Sequence, residues 1–113
     1  MIYSAYMYYT DTKVCKIIYR EINETNFEYI FEPLYKNIDA LENFKGIQGI
    51  DLSLRKKQYV RRNMMPSFIF EHNPLPGKKI FNKSVKIQGK CLLEYLATCG
   101  KLYFGDKLYI KPL

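Results

Sequence analysis

Apolar and polar residues alternate along the first third of the chain. Residues 2–9 combine this alternation with a high aromatic content, which favours a β-strand over a helix. A polar turn at residues 10–13 leads into residues 14–19, whose β-branched side chains indicate the second strand of a hairpin. A further turn at residues 23–26 precedes the apolar stretch 27–31. The pattern therefore predicts a three-stranded antiparallel meander.

The middle of the chain predicts shorter elements. Residues 32–37 indicate a brief helical turn or a loop, in which Pro33 is tolerated only at the first helical position. Strict alternation at residues 50–54 predicts a fourth strand. Residues 64–70 are apolar enough for a buried helix with Pro66 in its first turn, and the Pro- and Gly-rich residues 73–77 end it.

The last third predicts helix followed by strand. Residues 79–88 are weakly helical, and residues 90–99 are typical of a stronger amphipathic helix. Its predicted apolar face consists of Cys91, Leu92, Tyr95, Leu96 and Cys99. Gly100 fits the position after the helix, and a closing strand is predicted within residues 105–112.

The order of elements defines the expected fold class. Strands, then helices, then a final strand indicate an α+β fold with a small, mainly antiparallel sheet or a partly open barrel and two to three short helices. The chain has 113 residues, which predicts one domain spanning residues 1–113 with a single modest core. A hydrophobic content of 48% with 26% charged residues predicts a globular chain.

Cysteine usage and hydropathy predict a cytoplasmic protein. No apolar run approaches the roughly 20 residues that a membrane helix needs, and the N-terminus lacks a basic segment followed by an apolar signal core. Cys15, Cys91 and Cys99 are odd in number and form no CxxC pair. They are therefore expected to be reduced core thiols, without a disulfide framework or a zinc site.

Charge is distributed unevenly along the chain. Residues 1–44 carry four basic and seven acidic side chains, a net charge of −3, whereas residues 45–113 carry fourteen and four, a net charge of +10. A basic half is expected to attract nucleic acid, a membrane surface or an acidic protein. Charge alone does not choose among these partners.

Catalytic patterns are absent from the sequence. The only histidine, His72, has no second histidine at a metal-binding spacing and no recognisable nucleophile. The phosphate-binding patterns GxGxxG and GxxxxGK[ST] and the zinc pattern HExxH do not occur. Asp51 and Asp106 are isolated acids, which more often cap or face solvent than form an acid/base pair. The sequence predicts a protein without catalytic activity, cofactor or metal.

A basic cluster at residues 55–62 is the strongest candidate binding segment. It contains Tyr59 and is followed by Met64, Met65 and Phe68. Three interpretations remain open: a surface that stacks bases and binds phosphates, a solvated loop leading into a core helix, and a protein interface.

The chain also resembles the N-terminal domain of the HipA-type toxin kinases in six ordered stretches. Residues 8–17 resemble the family's opening hairpin "V-x-x-n-n-x-x-V-G-x-L", residues 27–29 match "F-x-Y", and residues 32–34 lie near a helix start. Residues 50–54 resemble the strand "S-L-S-L-P", and residues 66–70 with 75–77 resemble "p-F-F-d-n-L-L-P-e-G". Residues 92–112 resemble a helix "L-L-a-a-l-G" followed by the closing strand.

This resemblance implies a function. A stand-alone domain of this kind is similar to HipS, the small protein of tripartite HipBST toxin–antitoxin systems. The chain is then expected to be a non-catalytic antitoxin or accessory protein that binds and restrains a HipT/HipA-like serine/threonine kinase, while a HipB-like helix-turn-helix protein handles DNA. The alternatives are a basic nucleic-acid-binding protein and an obligatory structural subunit of a split HipA-type kinase. Met1 and the ending at Leu113 indicate a complete small gene product.

The resemblance also guides the expected interface. In the family, a tryptophan of the small protein enters the kinase active site, whereas this chain has no tryptophan. The hypothesis is that residues 59–68 replace it. The apolar anchors would be Tyr59, Met64, Met65 and Phe68, and Arg61 and Arg62 would face acidic groups of the kinase.

Overall fold

In the part of the chain that the structure describes, the fold is a five-stranded antiparallel sheet with three short α-helices. A computed structural model describes residues 1–71, 91–99 and 107–113. In these stretches the elements are β1 (Ile2–Tyr9), β2 (Thr12–Glu21), β3 (Phe27–Pro33), α1 (Tyr35–Asp39), β4 (Tyr59–Arg62), α2 (Ser67–Glu71), α3 (Leu92–Cys99) and β5 (Leu108–Pro112). The sheet is open, with the strand order β4-β3-β2-β1-β5. The expected α+β class is confirmed.

The predicted N-terminal meander is confirmed. β1 pairs with β2, and β2 pairs with β3, in antiparallel register. The second turn is an Asx turn, because the Asn23 side-chain oxygen accepts hydrogen bonds from the backbone N–H groups of Thr25 and Asn26 at 3.0 and 2.9 Å. Polar turn residues and alternating apolar positions therefore fix this part of the fold locally.

The prediction of a fourth strand at residues 50–54 is wrong. Ile50 forms an isolated bridge with Ile47, and Leu52–Leu54 form a single 3₁₀ turn. Asp51 caps this turn, since its carboxylate accepts a hydrogen bond from the Ser53 N–H at 3.0 Å. Such a hydrogen bond gives the local backbone an alternative to pairing with a neighbouring strand. The alternation of apolar and polar residues is the same in both cases, so it does not distinguish the turn from a strand.

The fourth strand lies instead within the basic run. β4 pairs antiparallel with β3, so that Tyr59 is opposite Phe31 and Arg61 is opposite Tyr29. The helical turn expected at residues 32–37 is also shifted, because Pro33 ends β3 opposite Cys15 and the helix α1 begins at Tyr35.

The remaining helix predictions are partly confirmed. α2 begins at Ser67, so that Pro66 precedes the helix and does not lie in its first turn. α3 begins at Leu92, and four of the five residues predicted for its apolar face are buried or partly buried. The expectations for residues 72–90, Gly100 and residues 101–106, and for the Cys99 side chain, lie outside the described part of the chain.

One face of the sheet carries the core. Alternate side chains of neighbouring strands point to this face and are buried, and the helix α3 packs against β1 and β5. The fully buried members include Ala5, Met7, Cys15, Ile17, Phe31, Phe68, Leu93 and Ile110. The other face carries further tyrosine, lysine and arginine side chains, among them Tyr6, Lys16 and Arg62. Among the described residues, no helix is long and apolar enough to cross a membrane.

The buried thiol of Cys15 predicts a loss of stability at alkaline pH. Burial raises the pKa of Cys15 from 9.0 to about 12, and burial also raises the pKa of Tyr29. Above pH 9 the unfolded chain loses a proton that the folded chain keeps, so the free energy of unfolding should fall as pH rises towards 12, by about 1.4 kcal/mol at pH 10 for Cys15. Urea unfolding measures this slope, and Cys15→Val should reduce it. A stability that stays constant between about pH 8.5 and 10.5 would contradict the prediction.

Candidate partner-binding surface

Residues 59–68 comprise β4, a short loop and the start of α2. Asn63 fixes the loop to the sheet at a left-handed backbone conformation, φ 57°. Its backbone N–H donates to the Phe27 carbonyl at 2.9 Å, and its side-chain oxygen accepts from the Phe27 N–H at 2.9 Å. Asparagine tolerates positive φ better than most residues. The loop therefore leaves the end of β4 in a defined direction.

Tyr59 lies in the core and not on the surface. It is 3% exposed. Its hydroxyl donates to the Asp51 carbonyl at 2.6 Å and accepts from the Lys56 N–H at 3.3 Å. The Tyr35 hydroxyl lies 3.4 Å from that of Tyr59. The pKa of Tyr35 is raised to about 12, chiefly by desolvation and next by this hydrogen bond. Tyr59 therefore holds the 51–56 loop, and its ring is not available to stack on a base.

The two arginines of β4 have different surroundings. Arg61 donates from Nη2 to the Gly49 carbonyl at 2.7 Å. Gly49 has φ 86°, and a Cβ at this position would lie 2.9 Å from the Ser67 side chain, so that only glycine fits without displacement. Arg61 thus ties β4 to a tightly packed turn.

Arg62 lies on the opposite face of the sheet. Its Nη2 is 3.2 Å from the carboxylate of Glu28, which is 2% exposed and also pairs with Arg20. The Arg62 side chain itself remains 65% exposed. It can therefore neutralise Glu28 and still present part of its guanidinium group to a partner.

The apolar residues of the segment also separate. Phe68 is fully buried and Met65 is partly buried, whereas Met64 is 54% exposed. Val60, which sequence reasoning missed, is 43% exposed and lies opposite Ile30 on the outer face. Neighbouring side chains of a strand point to opposite faces, so identifying residues 59–62 as a strand would have placed Val60 on the face opposite Tyr59.

The structure therefore brings only part of the predicted set to the surface. We define the β4 edge as Val60, Arg62 and Met64, which are the exposed apolar and basic side chains of the segment. Within the described ranges, β4 is an edge strand, with β3 as its one neighbour in the sheet. An edge strand with exposed apolar and guanidinium groups can bury side chains against a protein or pair with a partner strand. Tyr59 and Phe68 serve the fold beneath it.

Neither a metal-binding cluster nor a similarity to a known protein identifies a function for the described residues. Residues 1–71, 91–99 and 107–113 contain no group of three His, Cys, Asp or Glu side chains that could hold a metal ion. Comparison with protein-family models, with curated proteins and with solved structures finds no match to this chain. The proposal below therefore depends on the residue patterns and on the geometry of the β4 edge.

Proposed function

We propose that the chain is a non-catalytic, HipS-like antitoxin or accessory protein that binds and restrains a HipT/HipA-like serine/threonine kinase. The observation that carries the proposal is the order of the motifs that resemble the HipA N-terminal domain. In the described part of the chain, these motifs occupy the β1–β2 hairpin, β3, the turn at residues 50–54, the start of α2, and α3 leading to β5. The described parts of these motifs follow one another within one α+β fold, although residues 50–54, which resemble a strand of the family, form a 3₁₀ turn here.

The β4 edge is the proposed contact with the kinase. Met64 is exposed, and its unbranched side chain is of a type that adapts to irregular surfaces. Methionine and arginine are enriched where proteins dock. Met64 takes the place of the missing tryptophan, while Val60 adds apolar area and Arg62 faces an acidic group of the kinase. Arg61, Met65, Tyr59 and Phe68 position this edge from beneath.

The proposed setting is the cytoplasm. Cys15 is a buried thiol outside any disulfide, a state that suits a reducing compartment. A HipB-like helix-turn-helix protein completes the proposed assembly and contacts the DNA.

A structural subunit of a split kinase is the second candidate, supported by the same motif order. The two functions predict opposite effects on the kinase. Titration of the chain into the purified partner kinase, with phosphate transfer as the readout, distinguishes them. A falling rate supports the antitoxin function, a rising rate supports the structural subunit, and an unchanged rate contradicts both.

Met64→Asp tests the proposed contact. A carboxylate at this position would be desolvated at the interface next to the expected acidic groups, so the dissociation constant for the kinase should rise at least about tenfold. The fold should be unaffected because Met64 is exposed. Ile2→Asp is a matched control, since Ile2 is 65% exposed but lies three strands away on β1. Equal kinase affinity for both variants and the unmodified chain, measured by calorimetry, would place the interface elsewhere.

A further inference from the structure

The outer face of the sheet carries a second cluster of aromatic and basic side chains at the end opposite β4. We define the tyrosine–lysine face as Tyr6 and Tyr8 on β1, Lys13 and Lys16 on β2, and Tyr109 and Lys111 on β5. Antiparallel pairing places Tyr6 between Lys16 and Lys111, and Tyr8 between Lys13 and Tyr109. All six side chains therefore project from the same side of three neighbouring strands.

The rings on this face are arranged for stacking. Tyr8 and Tyr109 lie with their ring centroids 5.5 Å apart and their planes inclined by 15°. Tyr6, Tyr8 and Tyr109 are partly exposed. In the described part of the chain, their hydroxyl groups make no hydrogen bond to a protein group, in contrast to that of Tyr59. These rings are therefore held by the strands but do not serve the core.

The lysines surround the rings. Lys111 Nζ lies 5.6 Å from the centroid of Tyr8 and 5.3 Å from that of Tyr109, and Lys13 Nζ lies 3.9 Å from that of Tyr6. The ion pairs formed among residues 1–71, 91–99 and 107–113 use Arg20, Arg55 and Arg62, and none of these lysines. Exposed cation–π contacts are weak, so the ammonium groups can move to a stronger anion.

The acidic groups near this face leave it positive. Glu32 on β3 is opposite Lys16 and accepts a hydrogen bond from Gln58 at 2.8 Å. The carboxylate of Asp11, in the β1–β2 turn, accepts from the hydroxyls of Thr10 and Thr12. Among the described residues, three lysines thus face one carboxylate across the sheet and one at its end, and the rings lie between the lysines.

We propose that the tyrosine–lysine face binds single-stranded nucleic acid, with unpaired bases stacking on Tyr8 and Tyr109 and phosphates contacting Lys13, Lys16 and Lys111. Every base presents a flat aromatic face, so that stacking tolerates any sequence, and lysines beside the rings follow the backbone. A duplex hides its base faces and would contact only the lysines. This site is separate from the kinase contact, because β4 and β5 are at opposite ends of the strand order.

Fluorescence anisotropy with the full chain tests the proposal. The probes are labelled oligothymidylate and oligouridylate of about 12 nucleotides and a duplex of the same length. At about 50 mM salt, the single strands should bind with a dissociation constant in the micromolar range, and the duplex more weakly. The DNA and RNA probes show whether the sugar matters.

Two sets of variants separate rings from charge. The Tyr8→Val/Tyr109→Val pair replaces both rings with β-branched residues that suit a strand and should weaken single-strand binding at least about tenfold, whereas Tyr8→Phe/Tyr109→Phe should keep it. Lys111→Gln should reduce the salt slope of log K by about 0.7. Lys45→Gln removes the same charge from an exposed lysine near Tyr9 and Leu108, on the core side of the sheet, and should leave the slope nearly unchanged.

Three results would overturn the proposal. The first is that no oligonucleotide binds, and the second is that single strands and duplex bind equally and the valine variant loses no affinity. The third is that polyglutamate binds in place of nucleic acid with the same dependence on Tyr8 and Tyr109. The last result would make the face a site for an acidic protein. Circular dichroism melting confirms that each variant is folded. Kinase capture by the valine variant distinguishes a failure of this proposal from a failure of the kinase proposal.

Discussion

Replacing Phe68 with alanine should lower the free energy of unfolding by about 3–5 kcal/mol. Phe68 is fully buried at the start of α2 and belongs to the core beneath the β4 edge. The cost has two parts: the favourable free energy of burying an aromatic ring is lost, and the cavity left by the ring is itself unfavourable. Because small domains have only about 5–15 kcal/mol of stability, this change would remove a large part of it. Urea unfolding followed by circular dichroism measures the loss.

Met64→Ala provides the comparison for Phe68→Ala. Met64 is 54% exposed four residues earlier in the chain, so its truncation should change stability by less than about 1 kcal/mol. The two positions were equivalent candidates for partner anchors in the sequence, and the structure separates them by burial. A small loss for Phe68→Ala, comparable with that for Met64→Ala, would show that Phe68 is not in the core.

Replacing Arg20 and Arg62 together by alanine should cost about 3 kcal/mol. Both guanidinium groups pair with the carboxylate of Glu28, which is 2% exposed on the outer face of the sheet. Removing both leaves a buried charge without its ionic partners, which is much more costly than losing an exposed ion pair. Each single replacement should cost less than half of this, because the other arginine remains.

A further substitution identifies the cause of that loss. In the double-alanine background, Glu28→Gln removes the buried charge while keeping a similar size and should recover part of the lost stability. The measurement is again the urea midpoint and slope of each variant. If Glu28→Gln lowers stability further in this background, or if the double replacement costs under about 1 kcal/mol, the arginines do not act by neutralising Glu28.

The N-terminal meander was predictable because its signals are local. Residues 2–31 alternate between apolar and polar positions, and the Asn23 turn contains its own hydrogen-bond acceptors. The error at residues 50–54 is also local in origin, since the Asp51 side chain caps a 3₁₀ turn that alternation cannot distinguish from a strand. Within the basic run 55–62, residues 59–62 form the strand β4 because they pair with β3. The arginines of this run were also compatible with a solvated loop.

The candidate surfaces were less predictable because they depend on pairing between distant segments. Tyr59 is amphipathic, and only its place opposite Phe31 shows that its ring belongs to the core. Val60 and Arg62 reach the outer face for the same reason. The tyrosine–lysine face joins β1 to β5, and no property of residues 2–9 alone indicates that Tyr109 stacks on Tyr8. Sequence patterns identified the elements, whereas strand order determined which side chains meet.

Capture of the partner kinase tests the proposed function most directly. Tagged chain is incubated with lysate of the native host at about 0.3 M salt, which screens weak attraction by the basic half of the chain, and bound proteins are identified by mass spectrometry. We predict that a HipA-like serine/threonine kinase is recovered with the unmodified chain and with Ile2→Asp, and is depleted with Met64→Asp. Recovery of no such kinase by the folded, unmodified chain would contradict the proposal.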